Sequence, residues 1–446
     1  TSYWVCPPSR GRLNNTVGMA DKTMTANELI AAATDFYLGS RDFNGYPSHH
    51  IHDHHGESYD AIRRLFAELV NDGRGSIVFG DLHPNPHIRA FADEPQERQL
   101  KKLAAAPLEH ACLYPSAEHL SSVVAPADYQ DRPFSRELAL GAGQLEFRSF
   151  DLTVLESYRN DPRYHYTNDD VRGHICVSDE FYQSTQMHEK DQVILESFGF
   201  SCDGQMNRAV AAFVIYLNRL SPEHQQIWNS NRLSGDFKLH PDYYRTCILG
   251  DWGRGISIFD AVLEELKIVN HMCVAMERPL LFRDTFEANR PRNFSFLVRP
   301  TQEEFNDFVL TLDKMISDNI NKKFFQAEVS DETEEPREDG KIVVRQKGTI
   351  TILEEWLTLR YRTCAPEPIQ DMIATFKKVR KLRQQPAHAL RQDVFDQKFF
   401  HQQREIIVAT YTAINTLRLV LACHPKVKAA SIEVPEVLLK GKIWTQ

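Results

Sequence analysis

Arg383 and His388 close the ends of the stretch Arg383-Gln384-Gln385-Pro386-Ala387-His388, and together they could break a phosphodiester without a metal. RNA carries its own nucleophile, the 2′-hydroxyl. An imidazole with an ordinary pKa of ~6.5 can take that proton or return one to the leaving oxygen. A guanidinium, planar and always charged, can neutralise the charge that builds on phosphate oxygens. Gln384 and Lys381 are candidate auxiliaries, and Lys377, Lys378, Arg380 and Lys381 are candidate RNA contacts. Cations in a last helical turn gain ~0.3–1 kcal/mol each from the macrodipole. With Arg383 counted, this cluster is denser than capping requires.

Two helices are expected to position the pair. Ile369, Met372, Ile373, Phe376, Val379 and Leu382 recur at helical spacing before it, and Phe399, Ile406, Ile407, Thr410, Ile414, Leu417 and Leu421 recur after it. The second helix spans about 396–422 and stops at His424-Pro425. Two amphipathic helices on a short connection pack antiparallel, and a third near Glu354 to Tyr361 would complete a bundle. Arg, four residues, then His at the start of a bundle helix resembles the signature of the higher eukaryotes and prokaryotes nucleotide-binding superfamily (HEPN). The Lys-x-x-Arg approach and the Ala387-His388 pair also resemble a family of bacterial proteins of unassigned role. Where nuclease members follow the Arg with Asn, Asp or His, this chain has Gln384, and Pro386 stands inside the spacer. The resemblance covers the last quarter of the chain. It implies a four-helix bundle that forms a homodimer, and metal-independent cleavage of RNA or tRNA without a cofactor. It also implies a role in anti-phage defence or as a toxin.

Charge is divided unevenly. From Lys341 onward there are 18 Lys and Arg against 9 Asp and Glu, a net of +9; the rest holds 34 against 52, a net of −18. The basic part is expected to attract polyanions, and the acidic part to cover it until a protein or phage-derived trigger separates them. The chain is 446 residues long, enough for two or three domains. Residues 1–130 read as an α+β domain. It opens with a capping box at Thr25 and Glu28, followed by a helix from about Ser58 to Asp72 and a short strand from Ser76 to Phe79. Residues 131–327 read as a mainly helical middle or sensor domain, with Gln144 to Leu155 extended. Its helices carry the stripe from Phe259 to Val269 and, behind a second capping box at Thr301 and Glu304, the stripe from Phe305 to Ile316. The acidic, almost apolar-free segment 328–340 reads as a linker. Residues 341–446 read as the helical bundle, entered by a small hairpin pairing Ile342 to Val344 with Thr349 to Leu353. The fold class is therefore α+β, mainly α.

Other residues could do different chemistry. His50, His52 and His54, within His49 to His55, would line one face of a strand and could hold a transition metal in a metal-dependent hydrolase; the plainer reading is a solvated polar loop. Asp81-Leu82-His83 faintly resembles the opening Asp-x-His of metallophosphoesterases, but their Gly-Asn-His element is missing. His83 and His87 beside Pro84 and Pro86 read as a rigid loop. Gly250 to Gly255 lacks Walker spacing and reads as a loop entering a helix; Asp161 to Tyr166 reads as a turn. No Cys/His or Ser/His/Asp set follows from spacing. The eight scattered cysteines, with no Cys-x-x-Cys, fit free thiols in a reducing cytoplasm. The longest clean apolar run, Ala209 to Leu217, is far short of the ~20 residues a bilayer needs and reads as a buried helix, so no membrane is expected. Met19 and Met24 are candidate starts behind a loop-like opening with no signal pattern. Beside the ribonuclease stands the reading of a non-catalytic dimerisation module that binds RNA, a nucleotide or a protein.

Overall fold

The computed structural model describes residues 24–445, without 82, 84, 91–92, 185–186, 206, 252–254, 327, 337–341, 363–364 and 385–392. About 51% is helical, and the whole is mixed α and β. The described residues form two compact units, one within 24–128 and 138–144, the other within 129–137 and 145–445.

The first unit begins with α1 (Ala26–Gly39), capped as its sequence demands: the Thr25 hydroxyl accepts from the Glu28 amide and the Glu28 carboxylate accepts from the Thr25 amide. β1 (Tyr46–Pro47) and α2 (Ser48–His55) follow, then α3 (Tyr59–Asn71), N-capped by Ser58. Next come β2 (Gly75–Val78), α4 (Gln96–Ala105), β3 (Cys112–Pro115) and α5 (Ala117–Val123). The three strands form an antiparallel sheet in the order β1-β3-β2. Ile62, Phe66, Leu69 and Val70 of α3 and Leu29, Ile30 and Ala33 of α1 pack with Ile77 and Leu113 of the sheet in one core. Burying each such side chain contributes ~1.5–3 kcal/mol. The histidine tract is helical, not a strand: its five histidines sit between Pro47 and Gly56, whose φ of +72° ends the helix.

The second unit takes in the start of α6 (Pro133–Ala139) and then β4 (Phe147–Phe150), α7 (Glu156–Arg159), β5 (Tyr164–Asn168), β6 (Arg172–Val177) and α8 (Asp179–Tyr182). There follow β7 (Ile194–Cys202), β8 (Arg208–Phe213), α9 (Val214–Asn218), α10 (Pro222–Ser230), β9 (Lys238–Leu239) and α11 (Pro241–Ile248). An antiparallel six-stranded sheet runs β4-β8-β7-β6-β5, with β9 also paired to β7. This stretch is thus a sheet as much as helices. The run expected to be one buried helix is β8 turning into α9 at Phe213, because β4 and β7 flank that segment and satisfy its backbone.

The chain then turns helical. β10 (Ile256–Ser257) leads into α12 (Ile258–Ala275), capped by Ser257. α13 (Gln302–Asp313) continues through a π turn, Lys314–Asp318. β11 (Glu332–Pro336) and β12 (Ile342–Gln346) form a ribbon, followed by α14 (Thr349–Arg360), α15 (Glu367–Gln384), α16 (Lys398–Ala422), α17 (Pro425–Ala430), α18 (Glu436–Leu439) and β13 (Ile443–Trp444). β13 pairs parallel with β10. Three expectations are corrected here. The strand partner of 342–346 is 332–336, so the acidic segment is not a bare linker. Thr349 to Leu353 is helical because Ile350, Leu353, Trp356 and Leu357 share one buried face. No division falls at 328–340, since α12 packs on α16 and α13 on α15 within one unit. α16 is long and apolar enough to cross a bilayer by length and composition. Here it is a core helix, with Gln403, Thr410 and Arg418 buried beside its apolar stripe.

Candidate functional site

At the end of α15, Arg383 donates to the Asp313 carboxylate at 2.7 Å and to Asp318 at 2.9 Å. Arg380 reaches the same two carboxylates at 3.3 and 2.5 Å. Asp313 is fully buried. The four charges close on one another, and the bonds to Asp313 and Asp318 hold the Arg383 guanidinium further above its ordinary pKa. Lys377 pairs with Glu354 at 2.7 Å. Lys378, Lys381 and Gln384 are exposed. His388 lies outside the described residues. Of the predicted set, then, Arg383, Arg380 and Lys377 are brought onto carboxylates.

The histidines of α2 divide by helical geometry. His50 and His54 stand in edge contact, 4.2 Å between ring centres, while His52 turns away to bond the Glu57 carbonyl and stack on Tyr59. They do not form the triad of a strand face. Asp81 is held by Lys102. Among the described residues no group of three or more His, Cys, Asp or Glu stands together as a metal set.

A different cleft in the second unit gathers charged and aromatic groups that spacing did not connect. Two cavities, of about 210 and 250 Å³, share Arg159, Ser295 and Phe296 in their walls. Tyr166, Asn168 and Arg292 line the first; Asn293, Arg299, Glu303 and Asp307 line the second. Arg159 ends α7, Tyr166 and Asn168 belong to β5, and the acidic residues lie on α13. The remainder belong to the connection between α12 and α13.

That connection is fastened at its base. Asp170, in the tight β5–β6 turn, is buried and held at φ +67°, a conformation seldom adopted without compensating bonds. Its carboxylate accepts from Ser295 at 2.7 Å, Ser257 at 2.9 Å and Arg290 at 2.5 Å. Arg290 also reaches Asp260 and the Phe294 carbonyl, each at 2.9 Å. Beneath the cleft the Arg208 guanidinium lies between the rings of Phe296 and Phe200, 4.3 and 5.0 Å from their centres. Phe296 and Ser295 are therefore held from below, leaving the arginines at the rim to face the cavity.

The rim pairs are long. Arg159 stands 3.7 Å from Glu304, and Arg299 stands 3.8 Å from both Glu304 and Glu156. Arg292 is exposed and donates to the Arg159 carbonyl at 3.4 Å, with no carboxylate partner among the described residues. One oxygen of Glu156 is buried without a hydrogen-bond partner. Burial raises the pKa of Glu304 above its ordinary value, opposed by the amides of Val298 and Arg299, which donate to it at 3.0 Å, and by Arg159. This contrasts with the closed cluster at Arg383. Charges standing ~0.7–1 Å beyond direct hydrogen-bond distance leave room for a bridging water or ligand oxygen.

Compared with protein-family models, curated proteins and solved structures, the chain matches none. The cleft was not legible because its walls are separated in sequence by more than a hundred residues. One signal was present, the concentration of Arg290, Arg292 and Arg299 with Asn293 in a stretch of no regular pattern.

Proposed function

We propose that the protein binds a nucleotide in the arginine-lined cleft of its second unit. What carries this reading is the open set of ion pairs at Arg159 and Arg299, arranged around cavities of a small ligand's size. A phosphate bridges arginines held apart in this way and forms charge-assisted bonds with their planar forks. Phe296 and Tyr166 offer apolar surface to a base, Asn168 and Asn293 offer amides to its edge, and Glu303 and Asp307 offer acceptors for ribose hydroxyls. Of the readings open in the sequence, this favours a binding module over cleavage at Arg383. A phosphate at Arg383 would have to displace two carboxylates, one of them buried.

Calorimetric titration of the full chain with mono-, di- and triphosphate nucleosides, and with inorganic phosphate, tests the proposal. We expect saturable binding of a nucleotide, weaker binding of phosphate alone, and at least about a tenfold loss in Arg292→Ala and Arg299→Ala, since a bond to a charged group is worth ~1.5–3 kcal/mol. No nucleotide binding, or affinity unchanged in both variants, refutes it. RNA cleavage in EDTA that is lost in His388→Ala would place the chemistry at the Arg383 to His388 stretch instead.

A further inference from the structure

The first unit holds a second arrangement, assembled by its sheet rather than by its histidine-rich helix. In the order β1-β3-β2 the end of β1, the start of β3 and the end of β2 lie side by side, because Cys112 is paired with Pro47 on one side and Val78 on the other. The residues just beyond those ends therefore converge. They are His49 at the start of α2, His87 in the loop after β2, and His110 with Cys112 at the start of β3. All four line one cavity of about 460 Å³, together with Phe79, Asn85 and Pro86.

Within it, the Cys112 sulfur stands 3.6 Å from Nδ1 of His87. The His87 ring is also hydrogen-bonded to the Gly45 backbone, and the Tyr114 hydroxyl donates to the His87 carbonyl at 2.5 Å. Gly45 permits this approach: a Cβ there would lie 2.3 Å from the Tyr114 ring. His87 is thus held at its backbone and, while Nδ1 faces the sulfur, at its ring by the bond to Gly45. Such a bond is the usual support for a metal-ligating imidazole. Zinc bonds of ~2.3 Å to sulfur and ~2.0–2.1 Å to nitrogen, at a tetrahedral angle, put those two donors about 3.5 Å apart. The observed separation matches that edge.

We propose that Cys112 and His87 are the preformed half of a transition-metal site, of the zinc class, completed by His49 and His110. Thiolate and imidazole together select soft or borderline ions over magnesium or calcium. His49 and His110 are both exposed, so their rings can turn toward the cavity without disturbing the core. Left to itself the buried Cys112 thiol is no nucleophile, since burial pushes its pKa up to about 12. A coordinated ion would deprotonate it outright.

The test uses the full chain, stripped with a chelator and titrated with Co²⁺ and then Zn²⁺. We expect one equivalent of Co²⁺ per chain, with the near-ultraviolet charge-transfer band of a cobalt–thiolate bond and the visible bands of tetrahedral cobalt, both bleached by Zn²⁺. Cys112→Ser should lose the charge-transfer band, and His87→Ala should weaken binding at least tenfold. His50→Ala/His54→Ala, whose rings pair on α2 and are not among the walls of the cavity, should change neither. An identical spectrum in Cys112→Ser, or no binding by the native chain, overturns the proposal. Should either variant fail to fold, alkylation of the native chain mapped by mass spectrometry decides the matter. Zn²⁺ should slow modification of Cys112 at least tenfold, and modification unaffected by saturating Zn²⁺ overturns the site.

Discussion

A carboxylate that looks like solvated linker from its neighbours can be a structural anchor. Glu328 opens the acidic stretch, yet it accepts from the Trp356 indole at 2.5 Å and from Arg360 Nε at 2.8 Å, and it pairs with Arg278. Its side chain is 9% exposed. The bonds from Arg360, Arg278 and Trp356, partly opposed by burial, depress its pKa to about 2. A carboxylate whose folded pKa lies below its unfolded value of ~4.3 stabilises the fold above that value. The contribution is lost as pH falls through the folded pKa. Glu328→Gln should therefore be less stable than the native chain at pH 7, and the difference should shrink between about pH 4.5 and 2. Urea unfolding at pH 7, 4 and 2.5 measures it, and a difference constant across that window refutes the account. Local composition conceals this role, because Arg278 and Arg360 each lie more than thirty residues from Glu328.

At the scale of elements, legibility follows how local the decisive contacts are. α1 and α3 follow from capping residues and apolar spacing, since each helix contains its own instructions. α15 and α16 follow likewise from their stripes. β8 and α14 do not. Ala209 to Phe213 is apolar on both faces, so only its neighbours β4 and β7 decide that it is a strand. The β-branched start of α14 reads as strand until Trp356 and Leu357 are counted with it. The cleft is less legible still, since it requires α7, β5 and the connection after α12 to meet. Packing between α12 and α16 hides one more feature. Glu265, fully buried, accepts from Arg418 at 2.6 Å and from Asn415 at 2.8 Å. A buried pair that loses one member leaves an uncompensated charge, costing about 3–5 kcal/mol, whereas replacing both by apolar residues of similar volume is often neutral. Arg418→Met alone should lower the unfolding free energy by roughly that amount, and Glu265→Met/Arg418→Met should recover most of it. Additive losses in the double variant would show that the pair is not coupled.

For the whole molecule, the division of charge along the chain acquires a different meaning. The basic end and the acidic remainder are expected to act as a polyanion-binding domain and its cover. Instead, several of the opposite charges meet within one unit, Arg380 and Arg383 on Asp313 and Asp318, Arg418 on Glu265, and Arg360 on Glu328. These pairs accompany apolar packing of α12 on α16 and of α13 on α15, so the last hundred residues share a core with helices that precede the acidic segment. A fragment of residues 341–446 would keep α15 against α16 but lose the packing of α12 on α16 and of α13 on α15. It would also leave Arg418 beside an apolar surface without Glu265. A marginal domain does not survive the loss of two packed helices, because net stability is only ~5–15 kcal/mol. We expect that fragment to show no cooperative thermal transition by circular dichroism and to aggregate, while a fragment beginning at Tyr129 melts in a single transition. Cooperative folding of 341–446 alone would restore the picture of an independent basic domain, and its charge would then again be an argument about what it binds.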